Sequence, residues 1–585
     1  MINELIRLVR VERIDDIPVL LAHLQKMRVI TVLDEFFPTH GHWKGELSLG
    51  EVVAVWLTFM VSQGDHRLAQ VEPWAAQRLG LLTTCLGKPV RALDFSDDRL
   101  ADILDALSDG PAWNNFETHF SQGLVRVYEL PVEQIRLDST SAKTYAGVSP
   151  DGLFQYGHSK DHRPDLPQVK LNLSALDPLG LPLTTSVVSG QTADDPLYVP
   201  EIKHVQACFG PGGKTYIGDC KMAALATRAS VAHSQDYYLC PLGGKHLSDE
   251  ALDTLLKPVL HDPSQLTPVY APLAAGASRR QRIAAGFEIA VALAGESDGQ
   301  AVQWSERRLV VRSLTWAKQQ EKALDKRLAL ALDEVQALTE RRQGKKRLSA
   351  SDLQPAAEAI LARREVTGLV QVQITRQTTA VSKRRYGERL AEVQLGMDSQ
   401  LATQVDRTAV EKAKQRLGWR VYATNHPTLT LTQLVLAYRE QYLLERCFGR
   451  LKGATLSLTP LYLQTDTRVT GLMRLLTIAV RLLTLVEFSV RQKLKPDQSQ
   501  VAGLYAGNPK RATAAPTAEL LLKAFSGLSL TVLEVEGQTQ VLLSELTSLQ
   551  VRLLDLLGLS SEVYQRLSQH FLKPALILSE PWVYG

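Results

Sequence analysis

The spacing of apolar residues changes near Glu133, and that change limits the fold more than any other feature of the chain. Upstream, Leu100, Ile103, Leu104 and Leu107 recur at three- and four-residue intervals, the pattern of a helix with one buried face. Downstream, Ile135 and Leu137 alternate with Arg136 and Asp138 as in a strand. Apolar runs at 169–175 and 181–189 flank the turn Asp177-Pro178-Leu179-Gly180, which predicts an antiparallel hairpin. A helix is expected over 195–209, a strand at 215–219, a helix at 223–233 and a strand at 237–241. Three antiparallel strands followed by helix, strand, helix and strand make an α/β layered domain.

At 585 residues the chain is too long for one core. A hydrophobic fraction of 45% with 22% charge excludes a disordered chain. The net charge of +4 permits a polyanionic partner without demanding one. The basic clusters Arg341-Arg342-Gln343-Gly344-Lys345-Lys346-Arg347 and Lys383-Arg384-Arg385 read, taken alone, as solvated loops or helix ends. Five scattered cysteines with no CxxC pair argue against a zinc site or disulfide framework and fit a reducing cytoplasm. Residues 1–16 interleave acids and bases, unlike a signal peptide. The apolar segment 472–490 is interrupted by Arg474, Arg481 and Glu487, which predicts a buried amphipathic helix and no membrane span.

The chain divides as follows. Residues 1–130 read as a helical domain and 131–242 as the first part of the α/β core. Over 243–415 the strand–helix rhythm is lost, with strands at 285–293 and 307–311 and helices at 314–339 and 352–364, so an inserted α+β domain is expected. A strand at 418–425 resumes the sheet, 416–490 forms the second part of the core, and 491–585 is read as helical.

Two aspartates end strands of the core, Asp138 and Asp219. Taken singly, a strand-end aspartate is a turn residue. If the first and fourth strands are neighbours, the two sit side by side, repel, and favour a divalent cation between them. A third acid, Glu445, lies on the segment 438–452. On a continuous helix, Gln441, Glu445 and Lys452 fall about 60°, 20° and 40° from Tyr438, all on one side, while Leu443, Cys447 and Leu451 lie roughly opposite.

That segment is similar to the Tyr-x₂-Arg-x₃-Glu-x₆-Lys signature of bacterial insertion-sequence transposases of the DDE type, which carry a β-rich insertion before the glutamate. Tyr438, Glu445 and Lys452 are in register, and Gln441 stands where arginine is usual. Leu137-Asp138-Ser139-Thr140, Gly218-Asp219-Cys220-Lys221-Met222, the stretch from Gly157 to Pro164 and the strand before the glutamate resemble the same group, over roughly residues 130–480. The resemblance implies an RNase H-like mixed sheet flanked by helices, split by the insertion, with helical N- and C-terminal regions. It implies cleavage at element ends and strand transfer by two Mg²⁺ ions, with Mn²⁺ substituting. Asp138 would bridge the ions, and Asp219 and Glu445 would take one each. Lys452 would neutralise a phosphate and Tyr438 would position the strand. The partners implied are element-end and target DNA. Position and family analogy suggest that the N-terminal helices contact DNA ends and the C-terminal region supports a homodimer, in a cytoplasmic, nucleoid-associated protein.

Other residues have open readings. His158, Lys160, His162 and Arg163 occupy a Gly/Pro-bounded loop that is either solvated or in contact with the DNA backbone. Zinc at His158 and His162 lacks further ligands nearby. Ser139 and Thr140 have no histidine base at a recognisable spacing. Asp194-Asp195 before Pro196 reads as a helix N-cap. Trp304 and Trp316 are packed aromatics or, as in related transposases, stack on a flipped base near the element end. Two alternatives to a transposase remain: an inactive, transposase-derived DNA-binding protein, and a metal-dependent nuclease that cannot join strands.

Overall fold

The computed structural model describes residues 6–39, 41, 43–273, 278–339, 348–383, 392–536 and 538–570. Packing divides them into two compact units. The first gathers the described residues up to Cys240, residues 294–304 and those from Ala437 onward; the second comprises 241–293 and 305–436.

The first unit is built on β1 (Gln134–Lys143), β2 (Gln168–Leu176), β3 (Leu181–Ser189), β4 (Thr215–Ile217) and β5 (Tyr237–Leu242), in the order β3-β2-β1-β4-β5. β1, β2 and β3 pair antiparallel, whereas β4 lies parallel to β1 and β5 parallel to β4. This is the RNase H-like arrangement, a mixed sheet flanked by helices, as the strand and helix order predicts. Every residue of β2 is buried, so both faces of the sheet are covered there. Helix α1 (Tyr198–Phe209) leads into β4, and α2 (Leu225–His233) into β5. The β2–β3 turn needs Gly180, which has φ +69° and whose hydrogen points at the Leu443 carbonyl; a methyl group there would stand 3.2 Å from that oxygen.

The second unit holds β6 (Thr267–Tyr270), β7 (Arg282–Ser297) up to Leu293, β8 (Gln300–Ser313) from Ser305 and β9 (Trp419–Thr424), in the order β9-β8-β7-β6. β9 pairs antiparallel with β8, Trp419 opposite Arg312. A long hairpin, Val370–Lys383 with Glu392–Val405, accompanies helices Leu314–Gln336 and Ala350–Arg363 around a core of Leu324, Leu328, Val335, Leu361 and Val410. Sequence patterning gave the two helices but not this hairpin, although Val370, Val372 and Ile374 alternate with Gln371, Gln373 and Thr375 as a strand would. The Arg341–Arg347 run lies outside the described residues, as do Arg384 and Arg385.

The chain continues through α3 (Leu431–Arg439), α4 (Tyr442–Lys452) and α5 (Asp466–Leu494). Length and hydropathy would let α5 cross a membrane, yet 94% of its most apolar window is buried inside the protein. Its charges have protein partners. Arg474 donates to the Leu107 carbonyl at 2.7 Å. Arg481 pairs with Glu117 at 2.5 Å and donates to the Pro182 and Leu183 carbonyls. Glu487 takes Arg446 and Arg450. The expected buried helix is what forms, because each ion is paired inside the protein.

Both termini depart from the helical reading. Ile6–Arg13 is a strand, antiparallel to Ser529–Val535, which in turn pairs with Gln538–Leu543. The first 130 residues are therefore not an all-helical separate domain, nor is the region after 491 all helical. A strand whose partner is more than 500 residues away leaves no local signal.

His23, on helix Ile17–Lys26, is fully buried, and neither ring nitrogen has a hydrogen-bond partner among the described residues. Burial, with Lys26 nearby, pushes its imidazole down from 6.5 to about 4. A base held below its unfolded value keeps its full stability above pH 6.5 and loses it as pH falls toward 4. His23→Leu should fold, and its melting temperature should fall less than that of the wild type between pH 6.5 and 4.5. Parallel thermal melts across that range check this.

Candidate active site on the central sheet

The site begins with register. Across the parallel β1–β4 ladder, Gln134 faces Thr215, Ile135 faces Tyr216 and Arg136 faces Ile217. Two residues further along both chains, in the same direction, come Asp138 and Asp219. Parallel pairing thus sets the two carboxylates at neighbouring positions, but Asp138 lies inside β1, which runs on to Lys143, and is not the strand end that the sequence suggests, whereas Asp219 follows the end of β4. They also interact electrostatically. Burial is the largest influence raising the Asp138 carboxyl above its usual range, and the Asp219 charge adds to it, against the Lys160 ammonium and the Ser139 N–H.

Each aspartate is held locally. Asp138 Oδ1 accepts the Ser139 N–H at 2.7 Å. Asp219 accepts the Lys221 N–H at 2.8 Å, the turn role its position predicts, and also the Tyr198 hydroxyl at 2.6 Å. Tyr198 is buried on α1, and its hydroxyl is pushed well above its ordinary value by burial, then by Asp219 and Asp138. Gly218 lets the ring approach: a methyl group there would lie 2.8 Å from Tyr198 Cε1.

A cationic layer surrounds the acids. Lys160 Nζ donates to Asp138 Oδ1 at 3.3 Å, to Ser139 Oγ at 3.0 Å and to the Ser139 carbonyl at 2.5 Å. Asp194 accepts from Ser139 Oγ at 2.9 Å and from the buried Lys170 at 2.7 Å. Burial works to raise the Asp194 carboxyl, but Lys170, Lys160 and Ser139 together hold it below the usual range. Asp194 does not cap the following helix with its side chain, contrary to the sequence reading. Ser139 is engaged with Asp194 and Lys160, and among the described residues no histidine hydrogen-bonds it.

The glutamate segment differs from expectation in one respect. The helix is not continuous: α3 ends at Arg439 and α4 starts at Tyr442. Arg136, buried on β1, grips Asp177 with two bonds at 3.0 and 2.9 Å and also donates to the Ala437 carbonyl. In an unbroken helix that carbonyl would accept the Gln441 N–H. Instead, the Gln441 N–H goes to the Tyr438 carbonyl at 3.3 Å in a tighter turn. Tyr438 is buried on α3 and Gln441 stands in the break, so the four residues do not share one helix face.

Glu445 and Lys452 do share a face of α4. Leu443, Leu444, Cys447, Phe448 and Leu451 are buried, Cys447 Sγ donating to the Gly180 carbonyl at 2.9 Å. Lys452 Nζ reaches Asp161 at 2.5 Å and the Ser141 carbonyl at 3.2 Å. The segment is therefore tied to β1 on both sides of Asp138, at Arg136 and at Ser141. Glu445 lies between those ties and is exposed. Among the described residues, however, no three His, Cys, Asp or Glu side chains stand close enough together to hold a metal ion. The two aspartates are brought together, and Glu445 is not drawn into the pair. Still, the pair suits a hard divalent ion: its donors are carboxylate oxygens, they repel, and a positive ammonium already lies against one of them, Asp138.

The remaining expected contacts are scattered. His158 is exposed, while Arg163 pairs with Asp165 at 2.6 Å. Trp304 Nε1 donates to the Tyr238 hydroxyl at 2.9 Å. In the second unit, the Trp316 ring carries the Arg420 guanidinium at 4.1 Å. Sequence reading missed Tyr198, Asp194 and Lys170. The only signals for them are a glycine before Asp219 and a lysine inside an otherwise buried strand.

No family model matches the chain, and no curated protein matches it. Among solved structures, the piggyBac transposase synaptic complex with hairpin DNA is similar over 98% of this chain and 87% of that one, at 8% identity and a TM-score of 0.35. A likeness that slight carries no argument about this chain.

Removing the Tyr198 hydroxyl tests the local geometry. Tyr198→Phe should fold and lose about 2 kcal/mol of stability, the ordinary worth of a hydrogen bond to a charged group. Urea denaturation followed by fluorescence measures it, and an unchanged midpoint would remove Tyr198 from the support of Asp219.

Proposed function

We propose that this protein is a divalent-metal-dependent DNA transposase of the DDE type, which cleaves element ends and joins them to target DNA. The observation that carries the reading is the β1–β4 register, which, carried two residues past its last pair, brings Asp138, inside β1, and Asp219, just beyond β4, to matching positions on neighbouring parallel segments. The order of the four sequence motifs supports it, as does the tethering of the Glu445 helix to β1 on both sides of Asp138.

In this reading Asp138, Asp219 and Glu445 hold Mg²⁺ or Mn²⁺. When bound, such ions activate a hydroxyl nucleophile and stabilise the departing oxygen of a phosphodiester. The protein supplies position. The Ser139 N–H fixes one Asp138 oxygen, and Tyr198 with the Lys221 N–H fixes one of Asp219. Glu445, exposed on α4, would supply the third carboxylate. Lys452 stays tied to Asp161 and orders the loop beside the site, a different role from neutralising phosphate. The partner is DNA, engaged by a homodimer.

Purified protein, duplexes carrying the repeats that flank the coding region, and Mg²⁺ or Mn²⁺ test the proposal. The wild type should nick these ends and insert pre-cut ends with a free 3′-hydroxyl into a plasmid. Asp138→Asn, Asp219→Asn and Glu445→Gln should bind the ends and nick them slower by on the order of a hundredfold or more. Binding without nicking would mark an inactive descendant, and nicking without joining a nuclease. Full activity of Glu445→Gln would remove that residue from the site.

End binding should also weaken steeply with salt, because lysines and arginines that contact phosphates release counterions. Fluorescence anisotropy from 50 to 200 mM salt, as order-of-magnitude bounds, reads the slope. A flat response would oppose a surface that tracks the DNA backbone.

A further inference from the structure

The loop after Asp138 does not present its lysine to solvent. Lys160 folds inward, and its Nζ meets four acceptors: the Ser139 carbonyl at 2.5 Å, Ser139 Oγ at 3.0 Å, Asp138 Oδ1 at 3.3 Å and, more distantly, Asp194 Oδ2 at 3.9 Å. Its backbone is fixed too, the Lys160 N–H donating to Ser141 Oγ at 2.9 Å. The next residue, Asp161, is clamped by Lys452 from α4. The Asp161 and Arg163 N–H groups donate to Ser159 Oγ at 3.3 and 3.2 Å. An ammonium with two carboxylates and two hydroxyl or carbonyl oxygens around it is in the chemical setting of a bound cation.

We propose that Lys160 is the built-in counter-ion of Asp138, and that a divalent cation binds at Asp138 only by displacing it, which releases the loop 157–165. The inference rests on the reading of Asp138 and Asp219 as metal ligands. The physical reason is charge. Asp138 is mostly buried beside a second carboxylate, so it needs a nearby positive charge. An ammonium and a divalent ion at the same oxygen repel strongly in a partly buried site. Asp194 keeps Lys170 when Lys160 leaves, so the departing charge does not strand a lone buried carboxylate. Lys160 thereby couples ion binding to the order of a loop that also touches α4 through Asp161 and Lys452.

The test is Mn²⁺ binding to the full chain, read from the loss of the free-ion electron paramagnetic resonance signal, without DNA or turnover. Asp138→Asn supplies the background. Lys160→Met should bind Mn²⁺ about tenfold tighter or more than the wild type, because the competing charge is gone. Equal or weaker binding by a folded Lys160→Met would overturn the inference while leaving the metal reading intact. No Mn²⁺ uptake above the Asp138→Asn background, in either wild type or variant, would overturn the metal reading and the inference with it. A second measurement needs no variant: in wild-type protein, saturating Mn²⁺ should speed amide hydrogen exchange at Lys160, Asp161 and Arg163. Unchanged or greater protection there would also overturn the inference.

Discussion

The geometry of the site depends on one buried guanidinium. Arg136 sits on β1 two residues before Asp138 and points to the same side of the strand. It is 1% exposed, so its charge must be met inside the protein. Asp177, in the β2–β3 turn, meets it with two bonds, and the Ala437 carbonyl takes another of its protons. A buried cation without Asp177 would be strongly destabilising, and so would the aspartate without the cation. One side chain therefore fixes three things at once: the turn that Gly180 makes possible, the register of β1 against β2, and the point where the glutamate segment meets the sheet.

The same logic of enforced pairing surrounds the acids. Asp138, Asp219 and Asp194 carry negative charge into a region where burial disfavours it. Each has a specific answer: Lys160 for Asp138, Tyr198 and a backbone N–H for Asp219, Lys170 for Asp194. A sheet that only needed to be stable would replace such a network with apolar residues at little cost or some gain. Its retention just beyond the carboxyl end of β4, where the β1–β4 pairing stops and open α/β sheets commonly bind ligands, is what separates this cluster from the structural pairs on α5. There, Arg481 and Glu117 are fully buried and have no open side.

What the sequence reveals follows from the range of the interaction involved. β1 to β5 were legible because strand alternation, the Pro/Gly turn and the helix periodicity are all local. The neighbourhood of Asp138 and Asp219 was legible because strand order determines it. The strand Ile6–Arg13 was hidden because its partner is at the other end of the chain. Tyr438 and Gln441 were assigned to one helix face with Glu445 because nothing in that segment itself breaks a helix. At the break the Ala437 carbonyl accepts Arg136, some 300 residues earlier, and the Glu440 N–H, a pairing the segment's own sequence does not show. Asp194 looked like a cap because it precedes a proline, and its real partners come from two other strands and a loop. Lys160 was read as a basic surface residue because composition cannot tell an ammonium that faces solvent from one turned onto a carboxylate.

The long interval between Asp219 and Glu445 is therefore less of a constraint than its length suggests. The core makes two contacts with the returning chain: Arg136 with the Ala437 carbonyl, and Lys452 with Asp161 and the Ser141 carbonyl. Between those ties, α4 buries Leu443, Cys447 and Leu451 and leaves Glu445 outward. A helix held at its two ends and packed by one apolar stripe has its rotation set by that stripe, so the exposed side of residue 445 is not an accident of a loose segment. Bringing that carboxylate to the aspartates requires movement of α4 itself or of the loop beneath it. Asp161, which accepts from Lys452 on one oxygen and has its other oxygen buried without a partner among the described residues, lies at the contact between the two.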